Sequence, residues 1–244
     1  MTKQFLFYSL VDLFLCLVLR LVLIGITVVF GLLNGSSYSV MDNFMLDITT
    51  WWVWIPMYVS LIFVVMKNNE TIQRMAFTIG MAFLCFAMTE ILTDVIVKPI
   101  FARLRPCNDP TINAIIVKGY APTGFSFFSA HAANICGIVT YLCLLIRGRS
   151  LSVFLIVWAF LSCYSRIYLG AHFPSDVLVG AAVGVIIGFL CHKLLRLLEI
   201  QTSTSSHFVS RRLTSTGYAV PDADEVICVI MITFIGIIIH SIIA

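Results

Sequence analysis

Long apolar runs separated by shorter polar stretches dominate this chain. Seven runs can be marked, at residues 5–33, 51–66, 76–97, 132–146, 151–168, 177–195 and 226–243. An α-helix needs about 20 residues to cross the hydrocarbon of a bilayer, and the two shorter runs gain length from semi-polar neighbours. Because a lipid solvent cannot hydrogen-bond an open backbone, these runs are predicted to be helices. We therefore expect an all-α, polytopic membrane helix bundle with a six-helix core and a seventh, C-terminal transmembrane helix.

Two polar stretches divide the predicted bundle. Residues 98–129 are rich in proline and glycine, and residues 199–225 are rich in serine and threonine. Such compositions are typical of loops and linkers. We predict a membrane domain at 1–198 with its motif-bearing core at 51–195, a cytoplasmic linker at 199–225 and a last helix at 226–244. The first run lacks a small-residue cleavage site at its end, so it is predicted to be a retained helix.

Composition supports the membrane assignment and excludes other classes. Hydrophobic residues make up 60% of the 244 positions and charged residues only 11%. A soluble domain with a charged exterior cannot be built from this chain. The net charge of +3 is small and scattered, so no nucleic-acid partner is predicted. The eight cysteines fall mostly in apolar runs without metal-ligand spacing, and nothing in the sequence sets the oligomeric state.

The distribution of basic residues predicts the orientation. With the N-terminus inside, the cytoplasmic side collects Lys3, Lys67, Arg74, Arg147, Arg149, Lys193, Arg196, Arg211 and Arg212. The opposite side receives Lys98, Arg103, Arg105, Lys118 and Arg166, and the outer loop at 34–50 has no basic residue. Lysine and arginine are enriched in cytoplasmic loops, so we expect this orientation in a plasma (inner) membrane.

The first cluster of candidate chemistry closes the third apolar run. Lys98 ends that run, and Arg105 follows seven positions later, directly before Pro106. A lysine offers a compact charge and an arginine a planar fork, which together suit the oxygens of a phosphoryl group. Glu90 and Asp94 precede Lys98 at intervals of four, so they are predicted to pair structurally on the same helical face.

A second cluster opens the fourth helix of the predicted core. Ser129 stands at the N-cap position, followed by Ala130 and His131. A capped helix N-terminus directs backbone N–H groups outward, and the helix dipole favours an anion there. His131 is thereby expected in the first turn, next to the bound anion.

The third cluster spans one short outer turn. Arg166 ends a helix, His172 lies in the turn, and Asp176 begins the next helix. A histidine held by a carboxylate has a fixed tautomer and a more nucleophilic free nitrogen. With no serine or cysteine in the cluster that needs activation, the imidazole itself is the natural nucleophile.

The order and spacing of the three clusters resemble the type 2 phosphatidic acid phosphatase family of membrane lipid phosphatases. The signature of that family is Lys-x6-Arg-Pro, then Pro-Ser-Gly-His, then Ser-Arg-x5-His-x3-Asp. The first and third motifs are complete here, as Lys98-x6-Arg105-Pro106 and Ser165-Arg166-x5-His172-x3-Asp176. The middle motif departs, with Phe128 for the proline and Ala130 for the glycine. The resemblance covers about 51–195 and leaves the last helix outside the usual core.

The resemblance implies a metal-independent phosphatase that uses no cofactor. In it, His172 would attack phosphorus and form a phosphohistidine, Asp176 would orient the imidazole, and His131 would protonate the leaving oxygen. The substrate phosphate would be bound by Lys98, Arg105, Ser129, the backbone N–H of Ala130, and Arg166. The expected substrate is a membrane lipid phosphate on the periplasmic side: lipid A, undecaprenyl diphosphate, phosphatidic acid or phosphatidylglycerophosphate.

Two alternatives stay open at the level of sequence. A phosphotransferase could form the same phosphohistidine and pass the group to an alcohol. A transporter is suggested by acidic and basic side chains within apolar runs, namely Asp12, Arg20, Glu90 and Asp94. Against a transporter, the main charge clusters lie at helix ends on one face, whereas a transport path needs polar groups near the midplane.

Overall fold

The computed structural model describes residues 18, 20–22, 24–202 and 213–244. Most of this part of the chain is helical. The helices are α1 (Arg20–Leu33), α2 (Ser39–Thr49), α3 (Ile55–Lys67), α4 (Ile72–Glu90), α5 (Lys98–Phe101), α6 (Ala130–Ile146), α7 (Arg149–Tyr168), α8 (Pro174–Thr202) and α9 (Val220–Ile243). A π-helical stretch, Ile91–Val97, joins α4 to α5, and short 3-10 turns lie at Trp51–Trp54, Pro106–Asn108 and Val117–Gly119.

The predicted all-α membrane architecture is confirmed. Four helical stretches are long and apolar enough to cross a bilayer, and a fifth span results if α2 and α3, bent by 68°, count as one. The four are Ile72–Asn108, Arg149–Tyr168, Pro174–Leu198 and Val220–Ile243. Two apolar helices, α1 and α6, are shorter. The N-terminal part of the first predicted run, with Asp12, lies outside the described residues.

The segment 34–50, predicted to be a loop on the outer side, is mostly helical. It forms α2, which buries Asn43, Met45 and Ile48. The Asn43 side-chain amide donates to the Ser241 carbonyl at 3.3 Å, and His240 Nδ1 lies 2.6 Å from an Asp47 carboxylate oxygen. Polar residues of α2 thus hold the end of the last helix, which is why the segment lacked the continuous apolar pattern of a span.

The last helix begins earlier than its apolar run. Pro221 lies in the first turn of α9, a position that tolerates proline, and Asp222 follows where the helix dipole favours an acid. Asp222 accepts hydrogen bonds from Lys67 Nζ at 2.7 Å and from the Asn68 side-chain amide at 2.8 Å. These contacts join the start of α9 to the end of α3. Of the predicted linker at 199–225, residues 203–212 lie outside the described part.

The close pairing of α6 with α8 forms the centre of the bundle. Gly180, Gly184 and Gly188 of α8 face α6 at intervals of one turn. A Cβ at these positions would meet the carbonyl oxygens of Ser129, Ala133 and Gly137 at 2.5, 2.2 and 2.2 Å, respectively. Small residues let membrane helices approach closely and gain packing contacts. Because Ser129 starts α6 and Asp176 lies in the first turn of α8, this stripe fixes two parts of the candidate site relative to each other.

Candidate active site

A tight turn between α7 and α8 carries the central histidine. Gly170 has a φ of +70°, a left-handed conformation that favours glycine and often ends a helix. The chain then folds back, so that Ala171 N and His172 N both donate to the Arg166 carbonyl, at 3.0 and 3.2 Å. His172 is thereby held over the end of α7, in a position set by backbone bonds.

The contacts of His172 define its tautomer. The side chain is buried, at 2% exposure, with Nε2 3.2 Å from an Arg105 guanidinium nitrogen and Nδ1 3.4 Å from Ser126 Oγ. A guanidinium only donates hydrogen bonds, so Nε2 must offer its lone pair. The proton of the neutral ring then sits on Nδ1. This leaves Nε2 as the nucleophilic nitrogen, once a phosphate replaces it as the partner of Arg105.

Asp176 is fully buried and makes no direct hydrogen bond to the His172 imidazole. Its Oδ2 is 4.0 Å from His172 Nδ1, beyond a hydrogen bond. Ser126 Oγ stands between them and donates to Oδ2 at 2.5 Å. The other oxygen, Oδ1, pairs with Arg103 at 2.6 Å. Sequence reasoning placed Asp176 directly against the histidine and missed both Ser126 and the role of Arg103.

Two arginines are fixed by neutral oxygen acceptors. Arg105 Nε donates to the Thr123 and Gly124 carbonyls at 3.1 and 3.3 Å, and its terminal nitrogen donates to the Ala171 carbonyl at 3.2 Å. No carboxylate is among these partners, so the positive charge of Arg105 is not neutralised by its own contacts. An anion that arrives beside His172 therefore meets a positioned cation.

Arg166 is held in the same way from the other side. Its terminal nitrogen donates to Thr49 Oγ1 at 2.6 Å and to the Tyr120 hydroxyl at 2.7 Å. The positive charge of Arg166 acts on both His131 and His172. Thr49 and Tyr120 carried no signal in the sequence, because they are distant along the chain and meet Arg166 only in the fold.

Lys98 completes the cationic side of the site. Its Nζ pairs with Asp94 at 2.5 Å, as the spacing of four predicted, and it acts electrostatically on His172. Glu90 instead accepts a hydrogen bond from the Asn134 side chain of α6. Both acids of this segment therefore have structural partners.

The N-terminus of α6 closes the site. Ser129 is the N-cap, as predicted: its hydroxyl accepts from Ala132 N at 3.3 Å. Ser129 N donates to the Asp176 carbonyl at 3.0 Å, which joins α6 to α8. Ala130 is the first residue of the helix, and His131 follows it. His131 Nε2 is buried and has no hydrogen-bond partner within the described ranges, so it is available to a bound molecule.

An apolar cavity of about 640 Å³ begins at His131. It lies between α3, α4, α6 and α7 and follows α6 from His131 to Leu145, a distance of about 20 Å at 1.5 Å per residue. Its lining includes Ile62 and Phe83, which are exposed on the surface of the bundle. The cavity therefore extends along α6 to exposed side chains, and its His131 end meets the charged site.

The pKa of His172 gives a first test of this geometry. Burial, and then the positive charges of Arg166, Arg105 and Lys98, hold the pKa of His172 well below its usual 6.5. The imidazole, in a turn outside the membrane-spanning helices, is expected to stay neutral as pH falls from 8 through 6.5. NMR of ¹⁵N-histidine-labelled protein, compared with His172→Gln for assignment, should show no titration of His172 near pH 6.5.

The lowered pKa of His172 also makes the stability of the protein depend on pH. Below a pH of about 6.5 this histidine is protonated in the unfolded chain but not in the folded site, so the free energy of unfolding should decrease as the pH is lowered in that range. A His172 signal that titrates with a midpoint near 6.5 would contradict the buried, cation-flanked site.

The chain is similar to known phosphatases in sequence. The PAP2 superfamily model matches residues 75–199. The chain is 33% identical over 217 residues to the lipid A 4'-phosphatase of Bacteroides thetaiotaomicron, covering 86% of this chain and 92% of the relative. It is 28% identical over 199 residues to the undecaprenyl-diphosphatase of Sulfolobus acidocaldarius, covering 77% of this chain and 90% of the relative.

A solved structure is also similar. The crystal structure of Aquifex aeolicus LpxE aligns with a TM-score of 0.51 and 26% identity, over 68% of this chain and 93% of that one. In the ranges that the present structure describes, no group of three or more histidine, cysteine, aspartate or glutamate side chains could hold a metal ion.

Proposed function

This chain belongs to the PAP2 superfamily and is a membrane lipid phosphatase, and we propose that it hydrolyses a phosphomonoester of a lipid A-type glycolipid at the periplasmic face of the plasma membrane. The proposal extends the activity named for the Bacteroides relative to this chain. It is supported by the identity of 33% along nearly the whole of that relative. The mechanism, the side of the membrane and the substrate are parts of the proposal.

One observation carries the substrate class: the charged site and the apolar cavity meet at His131. A cavity of about 640 Å³ is in the range that binds small molecules or lipid chains. A phosphate bound near Arg105 and His172 would have its leaving group beside His131, at the mouth of that cavity. An apolar chain of the substrate could then lie along α6 while the headgroup stays at the interface.

The proposed reaction has two steps through His172. Nε2 attacks phosphorus and forms a P–N bond, while the P–O bond to the lipid breaks and His131, as the imidazolium in the complex with the phosphate dianion, gives its extra proton to the leaving oxygen. A water molecule then attacks the phosphohistidine, His131 takes a proton from that water, and the P–N bond breaks. Inorganic phosphate leaves, and both histidines return to their starting states.

Charge stabilisation comes from side chains in this mechanism. Arg105 and Arg166 are oriented by carbonyl and hydroxyl acceptors, so their charges remain directed at an incoming anion. Lys98 adds a third cation. Fixed donors of this kind stabilise the equatorial oxygens of a transferring phosphoryl group without reorganising during the reaction.

A substrate panel tests the proposal. Purified protein in detergent micelles, in the presence of EDTA, should remove one phosphate from bisphosphorylated lipid A, with free phosphate as the second product. Mass spectrometry of the lipid and a colour assay for phosphate measure the two products. We expect lipid A to be turned over with a higher kcat/KM than undecaprenyl diphosphate or phosphatidic acid.

Other outcomes would revise specific parts. Preference for undecaprenyl diphosphate would contradict the substrate assignment, and phosphate transfer to an added alcohol without release would indicate a phosphotransferase. For orientation, cysteines introduced at Asn113 and Ser150 can be compared with the parent protein in spheroplasts. Labelling of Ser150→Cys but not Asn113→Cys by an impermeant thiol reagent would contradict the periplasmic site.

A further inference from the structure

The link between the buried carboxylate and the imidazole is a serine that none of the three motifs contains. We propose that Ser126 is a positioning residue, whose hydroxyl couples Asp176 to His172 and selects the tautomer that leaves Nε2 free. The proposal rests on the proposed function, in which His172 is the nucleophile. It adds one residue and one role to that mechanism.

The partners of the Ser126 hydroxyl determine the direction of its hydrogen bonds. Its side chain is fully buried, and its O–H donates to Asp176 Oδ2 at 2.5 Å. A hydroxyl has one proton, so toward His172 Nδ1, at 3.4 Å, the same oxygen can only accept. Nδ1 must therefore carry the proton. Arg105, which can only donate to Nε2, imposes the same tautomer from the opposite side of the ring.

Asp176 is too far from His172 Nδ1 to accept its proton in a direct hydrogen bond. Its Oδ2 is 4.0 Å from Nδ1 and already accepts from Ser126 and from Phe173 N, the latter at 3.2 Å. Its Oδ1 accepts from Arg103 at 2.6 Å and from Ser175 Oγ at 3.3 Å. These four donors hold the carboxylate in place. Within the described part of the chain, the hydrogen bond to His172 Nδ1 is made by Ser126.

Ser126 is itself fixed by the backbone. Ser126 N donates to the Arg103 carbonyl at 2.8 Å, while the Arg103 side chain pairs with Asp176. Arg103 also lies over the Phe173 ring, 3.9 Å from its centroid. The serine, the carboxylate and the arginine thus form one closed network behind the histidine. A group so constrained can set the orientation of the ring before substrate arrives.

The network gains importance during the reaction. When Nε2 bonds to phosphorus, the ring becomes cationic and its Nδ1–H becomes a stronger donor. Ser126 Oγ accepts that hydrogen bond while its own O–H donates to the Asp176 carboxylate. The positive charge of the ring is therefore stabilised by the carboxylate through the hydroxyl. Once a phosphate has replaced Nε2 as the partner of Arg105, the hydroxyl is what continues to favour the Nδ1–H tautomer, and without it the cationic ring loses a hydroxyl acceptor.

The test compares two serines on the same carboxylate. Ser126→Ala removes the hydroxyl on the His172 side, and Ser175→Ala removes the hydroxyl on the opposite oxygen. Loss of a group that orients a reactive ligand commonly costs about 10- to 100-fold in activity. We expect Ser126→Ala to lower kcat for lipid phosphate release by that factor with little change in KM, and Ser175→Ala, which keeps the hydroxyl between Asp176 and His172, to lose several-fold less kcat than Ser126→Ala.

Spectroscopy separates positioning from general damage. In ¹⁵N-histidine NMR with saturating inorganic phosphate, which takes Arg105 away from Nε2, the parent and Ser175→Ala should show His172 protonated at Nδ1, and Ser126→Ala should show a mixture of tautomers. Ser126→Thr, which keeps the hydroxyl, should recover most of the lost kcat. Parent-like kcat in Ser126→Ala, equal losses in the two alanine variants, or an unchanged His172 tautomer would overturn the proposal.

The proposed function can fail independently. If the parent protein releases phosphate from none of the lipids in the panel, the function is wrong, but the NMR comparison still decides whether Ser126 sets the tautomer. If the parent is active and the tautomer does not respond to Ser126→Ala, the function stands and the positioning role falls.

Discussion

His172→Ala should lower phosphate release from lipid by about 10⁴-fold or more, the loss expected when a covalent nucleophile is removed. Nε2 of His172 is the nitrogen directed toward Arg105, and the described structure offers no second imidazole within that guanidinium's hydrogen bonds. Alanine leaves the cations in place, so substrate binding should persist. Turnover is measured as released phosphate. Binding of the lipid to His172→Ala is measured as a slower exchange of the lipid between micelles in the presence of the protein.

The phosphoenzyme distinguishes this mechanism from direct attack by water. After brief incubation with ³²P-labelled lipid, the parent should carry an acid-labile, base-stable label that His172→Ala lacks. His240→Ala is a matched control, since His240 is exposed and lies near Asp47 at the end of α9. Near-normal turnover in His172→Ala, or equal labelling of both variants, would contradict a phosphohistidine.

Gly184→Leu should strongly disrupt the protein, because Gly184 is one of the positions of closest approach in the α6–α8 pair. A Cβ at Gly184 would lie 2.2 Å from the Ala133 carbonyl oxygen, so the two helices must separate. Overpacking of this kind costs about 1–3 kcal/mol and is relieved by backbone shifts. Because Ser129 N bonds to the Asp176 carbonyl across the same pair, we expect both a lower thermal midpoint in detergent and a large loss of activity.

Gly236→Leu provides the control for this substitution. Gly236 is in α9, where a Cβ would meet nothing within 4 Å. Both variants add the same apolar volume to a membrane helix, so a general effect of leucine would appear in both. If Gly184→Leu keeps the thermal midpoint and the activity of Gly236→Leu, the close approach of α6 and α8 is not what organises the site.

The sequence predicted those parts of the site that depend on local order. Lys98, Arg105, Arg166 and His172 follow helix ends or turns, where spacing along the chain fixes which side of the membrane they reach. Ser129 was recognisable as an N-cap for the same reason. Apolar runs located the helices because a bilayer requires long stretches without charge, although semi-polar first turns extended α4 and α9 beyond those runs.

The remaining parts depend on tertiary contacts. Ser126 lies close to the middle motif in sequence, but its place between Asp176 and His172 requires α8 to pack against that segment. Thr49 reaches Arg166 across more than a hundred residues. The helix α2 was missed because its buried face includes Asn43, a polar residue whose side chain is satisfied by tertiary contacts with Ser241 of α9 and with Lys118.

The contribution of α3 and α4 to the apolar cavity has an evolutionary consequence. The reacting groups stand on α6, α8 and the segments between them, whereas part of the cavity wall comes from α3 and from residues 78–86 of α4. Substitutions such as those at Ile62 or Phe83 alter the space for an apolar chain without contacting His172 or Asp176. Lineages that share this catalytic apparatus can therefore diverge in the lipids they accept through mutations on two helices, while selection on phosphate chemistry holds the others constant.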